Sequence, residues 1–495
     1  MKLAVVVQRY GAEINGGAEL HARYVAELLA RRHQVEVFTT CAKDYVTWRD
    51  HYPAGTETIR GVTVRRFPVA HERDPEDFGR RSERIFHARH SLADELAWLE
   101  SEGPASPALL DHVGAQADAF DFFFFFSYRY HHAWHGVRRV PHKAILVPTA
   151  ERDAAIGLSM FRSTFRSVRA LMYNSPEERA MIQAVSGNED VPGVVVGIGS
   201  ELPRDVSPDR FRKKYQIHGP FVVYVGRIDA NKGCRELFDY FVKYRPRLGQ
   251  HLSLVLMGTS VLPIPDHPCI RHLGFVPDQD KFDAMAAAEA LIMPSYFESL
   301  SMVALEAWGL GRPVLANGRC DVLRGQCIRS GAGLYYENFE EFAETLFTLT
   351  TNRGLNHALG RNGRKFYERH YAWPVIERKY SDMLSRLAGA PAPVDGVEPL
   401  PGWLARRRRT LPPAQDVVDA LPRGPVLDGA SGDRTRPTPD RHARQASRRR
   451  SAATGPERAD AARGGTGEGQ DVRRRAERRD RPRNGRGRRP SRRQG

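Results

Sequence analysis

Ala290-Leu291-Ile292-Met293-Pro294-Ser295-Tyr296-Phe297-Glu298-Ser299-Leu300-Ser301-Met302-Val303-Ala304-Leu305-Glu306 opens the unit whose reading decides the fold. Residues 290–293 are a short apolar run of strand length. A loop follows, and from near Ser301 the pattern becomes helical. Gly309-Leu310-Gly311-Arg312-Pro313-Val314 then breaks the helix and leads into a second apolar run, 313–316. Strand, helix and strand in that succession argue for parallel strands covered by helices.

The same alternation extends outward in both directions. Residues 221–225, 252–257 and 270–273 read as further strands of this half. In the first half, strands are expected at 3–7, 34–39, 62–67, 121–126, 144–147, 170–173 and 193–196. A helix from Ala18 to Arg31 places Leu20, Tyr24, Val25, Leu28 and Leu29 on one face. Ser175-Pro176-Glu177-Glu178 carries helix-start chemistry: a capping serine, proline at the first position and glutamate three residues on. Polar residues 199–219, with Pro203 and Pro208, form an interdomain linker. The expected fold class is α/β, with two Rossmann-like domains facing each other across a cleft. The first spans 1–198 and the second 199–373. A terminal helix at 374–388, beyond a break at Pro374, crosses back to the first domain.

The chain holds 75 Lys plus Arg and 59 Asp plus Glu, a net charge of +16. Residues 401–495 hold 26 Arg, no Lys and 11 acidic residues, which leaves 49 basic against 48 acidic residues for 1–400. The basicity is therefore an appendage. The Arg-, Pro- and Gly-rich tail, 389–495, has no apolar periodicity and is expected to be disordered, because it buries too little to offset its ordering entropy. It also lacks aromatic interleaving for base stacking, so nucleic acid is not an expected partner.

Cys41, Cys234, Cys269, Cys320 and Cys327 show no paired spacing and read as reduced thiols of a cytosolic protein. The apolar run near Met1 is too short for a secretory signal and reads as a strand. No stretch approaches the ~20 apolar residues that cross a bilayer. A cytoplasmic location is expected, with peripheral contact at the anionic inner face of a membrane.

Two loops carry the chemistry. Gly226-Arg227-Ile228-Asp229-Ala230-Asn231-Lys232-Gly233 lies between a strand and a helix. At the carboxyl end of a parallel strand such a loop faces the ligand crevice. Glycine admits close backbone approach, the helix start supplies free amides, and Arg227 with Lys232 adds full charge, a combination suited to a diphosphate. The bland alternative is a solvated turn with two surface cations. The second loop holds Glu298, with Glu306 eight residues later inside the helix. At ~1.5 Å per helical residue, Glu306 stays within ~10 Å of the helix start. One acid is then able to face a sugar while the other meets ribose hydroxyls. The amides of Ser299, Leu300 and Ser301 would lie near phosphates. The apolar neighbours of Glu306 argue against a simple surface acid, because an unpaired buried carboxylate is expensive.

Glu298-x7-Glu306, its continuation through Val314, and the Gly-Arg-x4-Lys-Gly loop together resemble the retaining glycosyltransferases of family 4, which have the GT-B fold. Gly16-Gly17-Ala18-Glu19 after the first strand resembles the family's amino-terminal glycine loop. The resemblance covers about residues 1–387 and implies that 1–198 is the acceptor side and 199–373 the donor-binding domain. It implies that Arg227 and Lys232 neutralise a donor diphosphate, that Glu306 binds ribose and Glu298 the donor sugar, and that Gly16 and Gly17 allow close approach. Glu298, Arg227 and Lys232 are the expected catalytic set. The donor would be a UDP- or GDP-sugar and the acceptor a glycan or lipid-linked molecule of cell-surface synthesis. Transfer would proceed with retention, without cofactor or metal.

One position departs from that pattern. Many relatives carry a His-Asp pair after the fourth or fifth strand, where Pro148-Thr149-Ala150-Glu151-Arg152-Asp153 here offers Glu151. Glu151, or His131 or His132 from the loop after the phenylalanine run 122–126, is the expected acceptor-side group. A nucleotide-sugar epimerase of the same fold and a binding protein without transfer activity are the competing readings, and the Glu-x7-Glu arrangement favours transfer over epimerisation.

Overall fold

The computed structural model describes residues 1–14, 16–244 and 251–391, so the expected tail lies, from residue 392 onward, outside the described residues. Two parallel sheets, each flanked by helices, form the folded part.

The first sheet contains β1 (Lys2–Val6), β2 (Gln34–Thr40), β3 (Gly55–Ile59), β4 (Val62–Phe67), β5 (Phe122–Phe126), β6 (Ala144–Val147), β7 (Ala170–Tyr173) and β8 (Gly193–Val195). Its order is β3-β4-β2-β1-β5-β6-β7-β8, and only the edge pair β3–β4 is antiparallel. β1 sits between β2 and β5, with Leu3 opposite both Val35 and Phe122. All five phenylalanines of β5 are buried. A strand sends successive side chains to opposite faces, so the run fills both faces at once: Phe122, Phe124 and Phe126 pack on one, Phe123 and Phe125 on the other. That double burial explains a run too apolar for a half-exposed strand.

The second sheet contains β9 (Phe221–Val225), β10 (Ser253–Met257), β11 (Ile270–His272), β12 (Leu291–Met293), β13 (Val314–Asn317) and β14 (Gly333–Tyr336), in the order β11-β10-β9-β12-β13-β14, parallel throughout. β3 and β14 were not legible in the sequence. β3 is Gly-Thr-Glu-Thr-Ile, polar and largely exposed at an edge, and β14 is four residues long at the opposite extreme of its sheet. Edge strands need little apolar pattern.

Strand order reverses between β1 and β5 in the first sheet and between β9 and β12 in the second. Crevices open at such switch points, beyond the carboxyl ends of the strands. The loops singled out from sequence leave β1, β9 and β12.

The helix Trp373–Gly389 begins with Pro374 in its first turn and packs on the first domain. Tyr380 meets the Phe124 ring at 5.9 Å, and Lys379 donates to the Val196 carbonyl at 2.9 Å. Arg169 caps the helix end through the Leu387 and Ala390 carbonyls at 3.1 and 2.7 Å, satisfying orphan acceptors with a cation where the dipole favours one.

Candidate active site

The loop after β9 is shaped by its glycines and by Asp229. Gly233 has φ 71°, and a Cβ there would lie 2.1 Å from the Pro294 carbonyl oxygen. Only glycine allows that approach, and it seats this loop directly on the start of the loop after β12. The buried Asp229 carboxylate accepts from the Lys232 amide at 2.8 Å and pairs with the Arg227 guanidinium. One acid thus fixes the turn and orients the Arg227 guanidinium.

Lys232 reaches into the second loop, where its ammonium donates to Glu298 at 2.8 Å. Burial draws the Lys232 pKa down, but the carboxylates of Glu298 and Glu151 outweigh it and hold the ammonium charged. The amides of Ser299, Leu300 and Ser301 donate to no acceptor among the described residues. They precede the helix Met302–Gly309, whose capping residue Ser301 has φ 70° and accepts from the Ala304 amide. Positive φ in a non-glycine residue is strained. Ser127 and Thr149, just beyond β5 and β6, share this feature, with φ 66° and 49° and their hydroxyls 2.9 Å apart. Strain of this kind clusters at functional sites.

Glu306 is buried in the helix Met302–Gly309. Its Oε1 accepts from the Ser200 hydroxyl at 2.9 Å and from Lys281 at 3.1 Å. Its Oε2 is buried without a partner. A carboxylate oxygen left this way costs free energy, and a ligand hydroxyl would satisfy it. Lys281, Ser200 and Asp229 escaped the sequence reading. Lys281 and Ser200 are 25 and 106 residues from Glu306, and no local spacing links them.

Across the cleft, Gly16 caps the helix Gly17–Ala30. A Cβ on Gly16 would meet the Glu19 carboxylate at 2.2 Å and Arg9 at 3.2 Å, whereas Gly17 faces open space. Arg9 pairs with Glu19 and lies 5.6 Å from the Tyr45 ring; Arg227 approaches the same ring at 5.4 Å and donates to its hydroxyl at 2.8 Å. Tyr45 therefore joins the two domains between two guanidinium groups. Asn174, which donates to the Ser299 hydroxyl at 3.3 Å, makes a second bridge. Arg9, immediately beyond a parallel strand, was discoverable from its position; Tyr45 carried no signal of its own.

Glu151 comes within electrostatic reach of Lys232 and Glu298. Burial, then repulsion from Glu298 and Asp153, raise its pKa to about 7 against the opposing pull of Lys232. Glu178 fixes the loop: its carboxylate accepts from the Ala150 and Asn174 amides, both at 2.5 Å. The helix start read at Ser175 is present, with Ser175 accepting from the Glu178 amide, but the Glu178 side chain serves this neighbouring loop instead of closing on the cap.

The two histidines face elsewhere. His132 is buried, holds the Phe126 carbonyl at 2.9 Å, and burial lowers its pKa to about 3, so it is neutral. His131 lies against Glu100. Both belong to the helix His131–Arg139, whose geometry replaces the loop expected from sequence.

Residues 219–352 match the family model Glycosyl transferases group 1. An uncharacterised glycosyltransferase of Methanocaldococcus jannaschii is 21% identical over 414 residues, covering 77% of this chain and 96% of the relative. The fold is similar to that of a sucrose-phosphate synthase from Thermosynechococcus elongatus, with a TM-score of 0.59 at 17% identity, covering 79% of this chain and all of the other. HepE of Anabaena, solved with UDP-glucose, gives a TM-score of 0.56 at 15% identity, covering 78% of this chain and all of the other. The chain carries a glycosyl transferases group 1 domain within a GT-B fold, and domain and fold together are those of a glycosyltransferase.

Proposed function

We propose that this chain is a retaining, metal-independent hexosyltransferase that moves a sugar from a UDP- or GDP-sugar to a glycan or lipid-linked acceptor of the cell surface. The observation that carries the reading is that Asp229 and Glu298 tie Arg227 and Lys232 together in the loops after β9 and β12, while the helix that follows the second loop holds Glu306 with one oxygen unpartnered. The UDP-glucose bound by HepE supports a nucleotide-sugar donor.

In this reading Arg227, Lys232 and the amides of Ser299, Leu300 and Ser301 receive the diphosphate. They stabilise the charge that grows on it as the glycosidic bond breaks, the part of the catalysis that preorganised dipoles and cations supply best. Lys232 exchanges its bond to Glu298 for phosphate, which frees Glu298 to hold the donor sugar. The unpartnered Oε2 of Glu306 accepts a ribose hydroxyl. Gly16 and Gly17 bring the first domain's backbone near the phosphates. Glu151 lies on the acceptor side of the reacting carbon. The acceptor class, and a cytoplasmic enzyme touching the inner membrane face, rest on the family resemblance.

The test is a panel of UDP-, GDP- and ADP-sugars in donor-hydrolysis and thermal-shift assays, with and without chelator. One nucleotide should stabilise the parent, whereas Glu306→Ala and Lys232→Ala should fold and lose that stabilisation. If both variants bind every nucleotide as the parent does, the donor site is elsewhere. Formation of a new nucleotide-sugar without acceptor would replace transfer by epimerisation.

A further inference from the structure

Away from the donor loops, the first domain brings together three side chains that the glycosyl-transfer reading does not use. Glu100 comes from the helix Leu92–Glu102, and His131 and His135 are one turn apart on the helix His131–Arg139. A single carboxylate oxygen, Oε1 of Glu100, lies 3.4 Å from Nε2 of His131 and 3.2 Å from Nε2 of His135. The two imidazole rings are 4.3 Å apart between centroids.

Two explanations compete for this geometry. As an acid held by two imidazolium groups, the cluster should close to the ~2.7–2.9 Å of charge-assisted N–H···O bonds. Both contacts are longer. Tetrahedral zinc, with bonds of ~2.0–2.1 Å to nitrogen and ~2.0–2.2 Å to oxygen, sets its ligand atoms ~3.3–3.5 Å apart. The 3.4 Å separation falls on that edge, and the 3.2 Å one, a hydrogen bond in the ion-free cluster, lies just inside it. Access is open from the side of Glu100 and His135, whose side chains are 49% and 31% exposed, whereas His131 is buried at the back of the cluster. Glu100 lines a cavity of about 390 Å³ together with His71, Arg73 and Asp77.

We infer that Glu100, His131 and His135 form a three-ligand site for a zinc-class divalent ion, leaving one coordination position for water or an anionic group. The ion would bind through both Nε2 atoms and the Glu100 carboxylate, with the ring protons on Nδ1. It would clamp the helices Leu92–Glu102 and His131–Arg139 at the wall of the cavity. This site is independent of the donor loops and takes no part in the diphosphate chemistry proposed above.

The experiment uses the full chain, stripped with chelator, then titrated with Zn²⁺ by calorimetry and with Co²⁺ by visible spectroscopy. A single equivalent should bind, with the d–d bands of four-coordinate Co²⁺. Glu100→Gln and His135→Ala should each weaken binding at least tenfold. Lys232→Ala should bind the ion as the parent does, which separates this site from the donor reading. His135→Cys should retain the ion and add a thiolate-to-cobalt charge-transfer band, a signature that only a direct ligand gives and that remains readable if either other variant fails to fold. The inference is overturned if the parent takes up neither ion, if folded Glu100→Gln and His135→Ala bind like the parent, or if His135→Cys shows no thiolate band.

Discussion

At the carboxyl end of the second sheet, Asp229, Lys232 and Glu298 hold one another within two adjacent loops, and Glu306, in the helix that follows the second loop, keeps one oxygen unpartnered. At the carboxyl end of the first sheet the charges are committed in closed pairs: Arg9 with Glu19, Arg73 with Glu102, and Arg129 with both Glu102 and Asp153. Both ends belong to parallel sheets with a switch point, but at the second a buried carboxylate oxygen, Oε2 of Glu306, is left for a ligand to satisfy. A diphosphate needs the same few charges whatever sugar it carries, so short motifs suffice to build its site. The facing surface is assembled from loops up to tens of residues apart, and its cations act first as structure.

Three substitutions would break or sharpen that contrast. The largest effect is expected from Lys281→Met, which leaves the buried Glu306 with only Ser200. Breaking a buried pair by removing one partner costs about 3 kcal/mol, so denaturant unfolding should register the loss and nucleotide affinity should fall ~10-fold, while Lys281→Arg restores both. If Lys281→Met changes neither, the second-sheet cluster is less preorganised than its geometry indicates.

A smaller effect is expected from Glu151→Gln. The folded chain holds the Glu151 proton up to about pH 7, more tightly than an unfolded carboxyl does. The resulting contribution to stability is full below the ordinary carboxylate range and is lost as pH rises through about 7. Glutamine does not titrate, so the variant should match the parent near pH 4 and melt ~2–3 °C higher at pH 8 in calorimetry. Parallel melting profiles across that range would remove Glu151 from the charge cluster.

Tyr45→Phe should matter least. It deletes one half-exposed hydrogen bond to Arg227, worth ~0.5–1 kcal/mol, and should raise the donor KM about threefold with kcat unchanged. A loss in kcat instead would show that the first domain positions Arg227 during the reaction, which would weaken the contrast between the two ends.

The α/β class, the two parallel-sheet domains and most strands were legible because apolar runs and helical periodicity are local properties. Strand β3 escaped because an edge strand of Gly55, Thr56, Glu57 and Thr58 needs no apolar face. Among site residues, Arg227, Lys232, Glu298 and Glu306 stood out because loops after parallel strands converge wherever the sheet order reverses, so sequence position and chemistry sufficed to nominate them.

Other facts depended on the folded chain. That Lys281 and Ser200 share one oxygen of Glu306, that Tyr45 lies between Arg9 and Arg227, and that His131 and His135 turn toward Glu100 are contacts between segments distant in sequence. The sequence by itself determined the periodicity and the charged loops, since each is written within a dozen neighbouring residues. Tertiary structure alone decided which charges are already paired and which oxygen is left without a partner, because pairing depends on distances that no linear spacing encodes.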